Sequence, residues 1–247
     1  MRYFMTLSYC GATYCGWQVQ PHDPSVQATI EEALATLLRT PTPLTGAGRT
    51  DTGVNARMMV AHFDTAQPID DIPLFIRGLN GILPRDIAIQ AITRVHDDAH
   101  ARFDATSRTY KYFAHDHKSP FLYPLSWRCR PGLDFDLMNE AAAHLLRYTD
   151  FTSFSKLHTD VKTNNCRVTH AQWTQEGEQW VFTITADRFL RNMVRAVVGT
   201  LVDVGTHKIT VEQFCRIIEQ KDRCLAGTSM PAHALFLWNI TYPYPIQ

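Results

Sequence analysis

An Asp-Thr-Gly tripeptide occurs once in the chain, within GRTDTGVNA (48–56). The same tripeptide carries the catalytic carboxylate of aspartic proteases, which need two carboxylates sharing one proton. No second copy exists here, and the residues before Asp51 are polar instead of forming the short apolar strand of a dimeric protease. Arg49 would also tend to hold Asp51 ionised and so oppose proton sharing. The protease interpretation is therefore disfavoured.

A lone Asp51 suits a different chemistry, that of a single ionised carboxylate acting as nucleophile or base. Gly46, Gly48 and Gly53 lie near it, and glycines allow positive φ and close backbone approach. Such a loop is built to hold a carboxylate in a chosen position beside a substrate. The alternative is a structural loop in which Asp51 caps a turn.

A second segment, ARFDATSRTYKYF (101–113), interleaves arginine and lysine with tyrosine. On a strand, Arg108, Tyr110 and Tyr112 point to one face, because side chains alternate. A cation and aromatic rings on one face suit a nucleotide base stacked beside its phosphate. The same stripe also fits a half-buried core face, so both interpretations stay open.

The composition is that of a folded chain with a sizeable core. Its 247 residues are 45% hydrophobic and 19% charged, and the formal net charge is zero. These values disfavour disorder and an indiscriminate coat on nucleic acid, but they allow a local basic face. Arginine supplies 18 of the 24 basic residues. That excess suits phosphates and base edges, although GC-rich codon bias produces it equally well.

Three further features bear on location and on metals. The six cysteines contain no Cys-x-x-Cys pair, and the start, MRYFMTLSYC, lacks the apolar stretch of a signal peptide. No apolar run of about 18 residues occurs, which excludes a membrane-spanning helix. We therefore expect reduced thiols, no metal site and a cytoplasmic protein.

Apolar periodicity predicts strands interleaved with helices in both halves of the chain. Strands are predicted over 2–9, 56–65, 86–95, 106–116, 166–175, 179–187 and 233–242. Helices are predicted after Ser25, over 72–83, over 134–147, from Arg188 and from Thr210. This order predicts an α+β fold of two lobes, each with helices packed on a largely antiparallel sheet. The predicted lobes are residues 1–104, with the Asp51 loop, and 105–247.

Seven pieces of the chain form a pattern that is far more specific than any one of them. They are GWQ (16–18), GRTDTGVNA (48–56), LNGILPRDI (79–87), ARFDATSRTYKYF (101–113), DFTSFS (150–155), FLRNMVRAVVGTLVDVG (189–205) and LFLWNITYP (235–243). In this order they resemble the TruA-type tRNA pseudouridine synthases, over nearly the whole chain.

The resemblance implies two similar α+β lobes that share a continuous antiparallel sheet, with a basic active cleft between the lobes. It also implies an isomerase that needs no cofactor and works as a homodimer. Its substrate would be tRNA, with uridine converted to pseudouridine in the anticodon stem-loop, at tRNA positions 38–40. The alternative is a catalytically inactive tRNA-binding protein of the same fold.

The same resemblance assigns roles to individual residues. Asp51 matches the catalytic aspartate, which we expect to act as the nucleophile, and Arg195 matches an arginine that pairs with it. Tyr110 matches the tyrosine that stacks on the substrate. Arg49 matches an arginine associated with displacing the target base from the helix stack.

A neutral chain must gather positive charge locally if it is to bind RNA. The predicted helix from Arg188 would carry Arg188, Arg191 and Arg195 together. We therefore expect this helix to contribute to the basic cleft, with the first two arginines binding substrate.

The chain departs from the family pattern at several positions. Thr52 and Asn55 replace the alanine and histidine that are usual in the motif, Cys10 replaces a common aspartate, and Ala234 replaces a common glycine. None of these changes removes a predicted catalytic residue. They bear on the finer contacts of the Asp51 loop and on the range of target uridines.

Overall fold

The structure is a computed structural model that describes residues 1–156 and 163–246. That part of the chain contains five α-helices and nine strands. In chain order they are β1 (Arg2–Tyr9), α1 (Val26–Leu38), β2 (Thr45–Gly46), β3 (Asn55–Asp64), α2 (Ile72–Ile82), β4 (Ile87–Val95), β5 (Ser107–His115), β6 (Trp127–Arg128), α3 (Phe135–His144), β7 (Val168–Glu176), β8 (Gln179–Ala186), α4 (Met193–Gly205), α5 (Val211–Gln220) and β9 (Leu235–Thr241). None of the described helices is long and apolar enough to cross a membrane. The predicted α+β class, with a largely antiparallel sheet, is confirmed.

The chain folds into two compact units. One unit comprises Met1–Thr106 together with Leu237–Gln247, and the other comprises Ser107–Phe236. The lobes predicted from the sequence end at 104 and begin at 105. The compact units differ from them mainly in grouping the last eleven residues, 237–247, with the N-terminal part of the chain.

In the first unit the strand order is β4-β1-β3-β9, and β2 pairs with β3. Strand β1 is antiparallel to both of its neighbours, so Met5 lies opposite Ala61 on one side and Ile92 on the other. Helix α1 begins after Ser25, whose Oγ accepts a hydrogen bond from Ala28 N at 3.3 Å, as expected of an N-cap serine. Helix α1 packs against α2, and α2 packs against β4.

In the second unit the strand order is β5-β8-β7, with antiparallel pairing, and β6 runs parallel to β5. Helix α4 is buried along most of its length, because α3 and α5 pack against it. Helix α5, predicted from Thr210, begins with a capping box. Gln213 N donates to Thr210 Oγ1 at 3.3 Å, and Thr210 N donates to Gln213 Oε1 at 2.8 Å.

Most predicted elements are confirmed to within a few residues. Strand β1 has the predicted bounds, whereas the helix predicted over 134–147 ends as an α-helix at His144 and continues as a 3₁₀ turn over Leu145–Arg147. The last strand begins at Leu235, because Ala232–Ala234 form a 3₁₀ turn. The short strands β2 and β6 were not predicted, since two residues are too few to show periodicity.

Candidate active site

Asp51 lies on the loop that joins β2 to β3. Near the start of this loop, Ala47 N donates to Val60 O at 2.8 Å and so extends the pairing of the two strands. At its end, Val54 N donates to Asp51 O at 3.1 Å and closes a β-turn. Gly53 has a φ of 77° at the third position of this turn, where a type II turn needs a positive φ. The turn therefore explains the glycine of the Asp-Thr-Gly tripeptide and places a half-buried Asp51 at its first position.

The loop that follows β1 is hydrogen-bonded to the chain on both sides of Asp51. Trp17 N donates to Thr50 O at 3.2 Å, and Gly53 N donates to Tyr14 O at 3.3 Å. Trp17 and Tyr14 are both buried. The backbone around the carboxylate is therefore held by main-chain groups of a different segment.

Buried side chains join the same two loops. The Tyr9 hydroxyl lies 2.7 Å from Thr50 Oγ1, and Asn55 Oδ1 accepts a hydrogen bond from Gly11 N at 2.9 Å. Asn55, which departs from the family pattern, is 1% exposed, so its amide oxygen has a structural role in this chain. Thr52, the other departure within the motif, is exposed.

Arg49 stands two residues before Asp51 on the same loop, and its side chain is exposed. A guanidinium at such a position offers planar donors to a phosphate or a base edge. The placement is compatible with the predicted role in displacing a base, which stays a prediction.

Tyr110 lies in the middle of β5, opposite Ile184 of β8. Its ring meets the ring of Phe189 edge to face, with centroids 5.0 Å apart and planes at 83°. An edge-to-face contact of this kind limits the orientations of the tyrosine ring. Tyr110 is half-buried.

The side chains on one face of β5, those of Arg108, Tyr110 and Tyr112, differ in their burial. Tyr112 is 0% exposed and belongs to the core, and its burial raises the pKa of its hydroxyl against the opposing effect of the Arg195 charge. Arg108 is half-buried, and its Nη1 donates to Asp187 O at 2.8 Å. The core interpretation therefore holds for Tyr112, whereas the stacking role of Tyr110 stays a prediction.

Arg195 lies in the first turn of α4. Its Nε donates to Met230 O at 2.5 Å, and Met230 N donates back to Arg195 O at 3.1 Å. The segment before β9 is thus tied to the start of α4 at Arg195, for which a catalytic role is predicted. Arg195 is half-buried.

The prediction that Arg188 and Arg191 share a helix with Arg195 is wrong. Helix α4 begins only at Met193, because Asn192 precedes it with a φ of 65°, a left-handed conformation that interrupts a right-handed helix.

The chain before that residue is held by bonds that compete with a helix. Asp187 Oδ1 accepts hydrogen bonds from Arg167 N at 2.8 Å and from Arg188 N at 2.7 Å, and Arg191 O accepts one from Lys156 N at 3.1 Å. Arg191 is exposed and Arg188 is half-buried, so both lie on an irregular segment next to the helix.

The predicted site residues form two groups in the structure. Asp51 and Arg49 belong to the first compact unit, and the second unit contains Tyr110 and the three arginines 188, 191 and 195. That both groups act at one uridine stays a prediction.

Sequence reasoning missed several residues that hold these groups, among them Phe189, Met230 and Trp17. Phe189 and Trp17 fall inside the quoted motifs, so their aromatic type was a usable signal. Met230 contributes its main-chain carbonyl oxygen, so its side-chain type gives no sign of this contact.

The family model and the full-length relatives that match this chain are all described as tRNA pseudouridine synthases. The family described as tRNA pseudouridine synthase matches residues 141–243. The tRNA pseudouridine synthase A of Parabacteroides distasonis is 58% identical over 249 residues, which cover 100% of this chain and 99% of that protein. The proteins of the same name from Bacteroides fragilis and Bacillus subtilis are 57% and 39% identical, with coverage of 99% and 98% of this chain and of 98% and 99% of the relatives. The resemblance seen in the motifs is confirmed, and the chain belongs to the tRNA pseudouridine synthase A family.

Proposed function

We propose that this chain isomerises uridine to pseudouridine in tRNA, with Asp51 as the nucleophile. The observation that carries the proposal is the full-length match, at 58% identity, to a protein named tRNA pseudouridine synthase A. The firmly held loop of Asp51 supports it, because a nucleophile must keep a defined position. The inactive alternative has no support among the named relatives, which are all called synthases.

The proposed reaction needs no net oxidation and no added group. The bond between C1′ and N1 of uridine breaks, the uracil turns over, and C5 bonds to C1′. The hydrogen at C5 leaves as a proton and N1 gains one, so the atoms balance. An ionised carboxylate can attack C1′ or C6, or stabilise an oxocarbenium-like centre at C1′. Asp51 is the residue to which we assign this role.

Arg195 would pair with the Asp51 carboxylate during the reaction. Removing water from around a carboxylate raises its pKa, whereas a neighbouring guanidinium lowers it. Arginine suits this role better than lysine, because its pKa is too high for it to lose its proton in a closed site. The hydrogen bond from Arg195 Nε to Met230 O supports the assignment, since it fixes the direction of the guanidinium.

Tyr110 would hold the detached uracil flat and prevent its escape, and the contact with Phe189 supports this by limiting the motion of its ring. The base must first leave its stack, at a cost of roughly a few kcal/mol. Arg49, exposed on the loop of Asp51, would fill the vacated position. Arg188 and Arg191 would bind phosphates of the tRNA.

The finer features of the proposal follow the family resemblance. We propose uridines 38–40 in the anticodon arm as the targets, a homodimer as the active form and the cytoplasm as the location. Light scattering of the purified protein tests the homodimer. Mapping of pseudouridine in tRNA from cells that lack the protein tests the positions.

The central experiment measures tritium released from tRNA that carries [5-³H]uridine. We expect release by the unchanged protein and a loss of at least about 1000-fold for Asp51→Asn, which keeps the size and removes the charge. Binding of tRNA should stay within a few-fold. Asp70→Asn provides the matched control, since Asp70 is an exposed aspartate of the same unit.

Three results would contradict parts of the proposal. Full activity of Asp51→Asn would show that another residue is the nucleophile. No tritium release under conditions where tRNA binds would favour the inactive alternative. Binding that does not weaken with salt would also exclude phosphate contacts as the source of affinity.

A further inference from the structure

Asp86 lies just before β4, in the LNGILPRDI motif, to which the proposed function assigns no role. Its carboxylate accepts two hydrogen bonds from the loop that follows β1, from Thr13 Oγ1 at 3.0 Å and from the Tyr14 hydroxyl at 2.8 Å. Its main-chain oxygen accepts a third from Cys10 N at 2.9 Å. One residue thus fixes the path of that loop at three points.

The same loop holds the turn that carries Asp51. Tyr14 is the direct link, because its hydroxyl donates to Asp86 while its main-chain oxygen accepts from Gly53 N at 3.3 Å. Three residues further on, Trp17 N donates to Thr50 O at 3.2 Å. The chain on either side of Asp51 is therefore connected to Asp86 through a single intervening segment.

The link between Tyr14 and Asp86 has the properties of a firm contact. Tyr14 is 6% exposed. Burial first, and then the hydrogen bond to Asp86, raise the pKa of its hydroxyl to about 12. The phenol is therefore neutral near pH 7 and donates to an anionic acceptor, which makes the bond stronger than one between neutral groups.

We propose that Asp86 is a positioning residue for Asp51 and acts through Tyr14 and the loop that follows β1. The inference rests on the proposed function, since it assigns a purpose to the position of the nucleophile. Asp86 touches no reacting atom in this scheme. Its removal would let the loop shift, and the Asp51 turn would shift with it.

The first test compares kinetics of tritium release. We expect Asp86→Ala and Tyr14→Phe to lower kcat by about 10- to 100-fold, since a displacement of about 1 Å at a reacting group costs on that order. The KM for tRNA should stay within about 3-fold, because neither residue is placed at the RNA. Asp86→Asn keeps an acceptor oxygen for Tyr14 and should recover part of the loss.

Tyr244→Phe is the matched control. The Tyr244 hydroxyl donates to Asp104 Oδ2 at 2.6 Å, so the variant loses a tyrosine–aspartate bond in the same unit but away from the Asp51 loop. We expect it to be destabilised about as much as Tyr14→Phe, with kcat lowered less than about 2-fold. A similar loss of kcat in both variants would overturn the inference, because it would reflect general destabilisation.

The second test does not depend on activity. Amide hydrogen exchange at Trp17 and Gly53 should speed up in Asp86→Ala and Tyr14→Phe but not in Tyr244→Phe, because these two amides donate across the loops. Unchanged exchange at both amides would overturn the positioning role. An unchanged protein that releases no tritium would instead overturn the proposed function. If Asp86→Ala fails to fold, Tyr14→Phe and Thr13→Val serve for the same measurements.

Discussion

Asp51 lies on a loop whose backbone is hydrogen-bonded by a second loop, whereas Arg195 lies in the first turn of a helix. Contacts to Thr50 and Gly53, on either side of Asp51, come from buried residues that are distant in sequence. The backbone of Arg195 belongs to α4, its main-chain oxygen accepts one further bond from Met230 N, and its guanidinium is oriented by Met230 O.

The comparison shows two ways to place a charged group. A loop has no regular hydrogen bonds of its own, so its backbone N–H and C=O groups must pair with other segments. A helix supplies its own backbone bonds and leaves only the side chain to be oriented. We therefore expect changes in backbone contacts to harm the Asp51 region most, and changes in side-chain contacts to harm the Arg195 region most.

The largest effect should come from Gly16→Ala. Gly16 has a φ of 94°, and a Cβ at this position would lie 2.4 Å from Thr50 O, next to Asp51. We expect a loss of about 3 kcal/mol or more in the free energy of unfolding, together with severe loss of tritium release. Urea unfolding and single-turnover kinetics measure the two effects.

Gly132→Ala separates the strain of a positive φ from the steric clash of a Cβ with Thr50 O. Gly132 has a φ of 83°, but a Cβ there would meet no atom within 4 Å. The variant should therefore lose only the strain energy, about 1 to 2 kcal/mol, and keep its activity. Equal destabilisation of the two variants would show that the contact with Thr50 is unimportant.

Arg195→Lys should come next, with kcat lowered about 100-fold. Lysine keeps the charge but lacks the Nε–H that donates to Met230 O, so its ammonium would not be held in one direction. Stability should change little, because the backbone bonds of α4 remain. Arg147→Lys, at an exposed arginine of the same unit, controls for the substitution itself. If the activity of Arg195→Lys stays within 2-fold of the control, the direction of the guanidinium does not matter for catalysis.

The first unit should also respond to acid. His62 of β3 is buried, and its Nδ1 accepts a hydrogen bond from Ala101 N at 3.2 Å. Burial first, and then the charge of Arg2, lower the pKa of His62 to about 4. The unfolded chain, with a histidine pKa near 6.5, therefore binds the proton more readily than the folded chain, so stability falls as the pH falls from about 6.5 toward 4.

We expect this histidine to account for about 2 kcal/mol of lost stability between pH 7 and pH 5. His62→Gln removes the titration and can still accept from Ala101 N. Its urea midpoint should therefore depend less on pH than that of the unchanged protein. Some pH dependence should remain in the variant, because the pKa of His100 is also lowered. His207→Gln, at an exposed histidine, serves as the control. Identical pH dependence in all three proteins would contradict the assignment.

The smallest effect should come from Phe189→Leu, which removes the edge-to-face contact with Tyr110. Such contacts contribute about 1 kcal/mol, so kcat/KM should fall only several-fold. Phe236→Leu is a close control, since Phe236 makes a similar contact, at 5.2 Å and 82°, with Phe113 on the other face of β5. Its activity should be unchanged. An equal loss in both variants would mean that strand packing, and not the tyrosine ring, is being measured.

The elements that carry the site were largely predictable. The alternation of β5 and the N-cap of α1 are local features, so they survive in the sequence as periodicity and as single residue types. The start of α4 was not predictable in the same way. The apolar spacing of that segment extends to Leu190, but a left-handed Asn192 and the bonds to Asp187 stop the helix short of it.

The sequence by itself determined the family, the α+β class and the identity of the candidate residues, because motif letters and apolar periods are local properties of the chain. The tertiary structure alone decided what holds Asp51 in place. The partners of its loop, Tyr14, Trp17 and, through Tyr14, Asp86, bond mostly through main-chain atoms across long separations in sequence. Every residue has such atoms, so residue types do not reveal which of them pair. The pairing is decided only when the segments pack together.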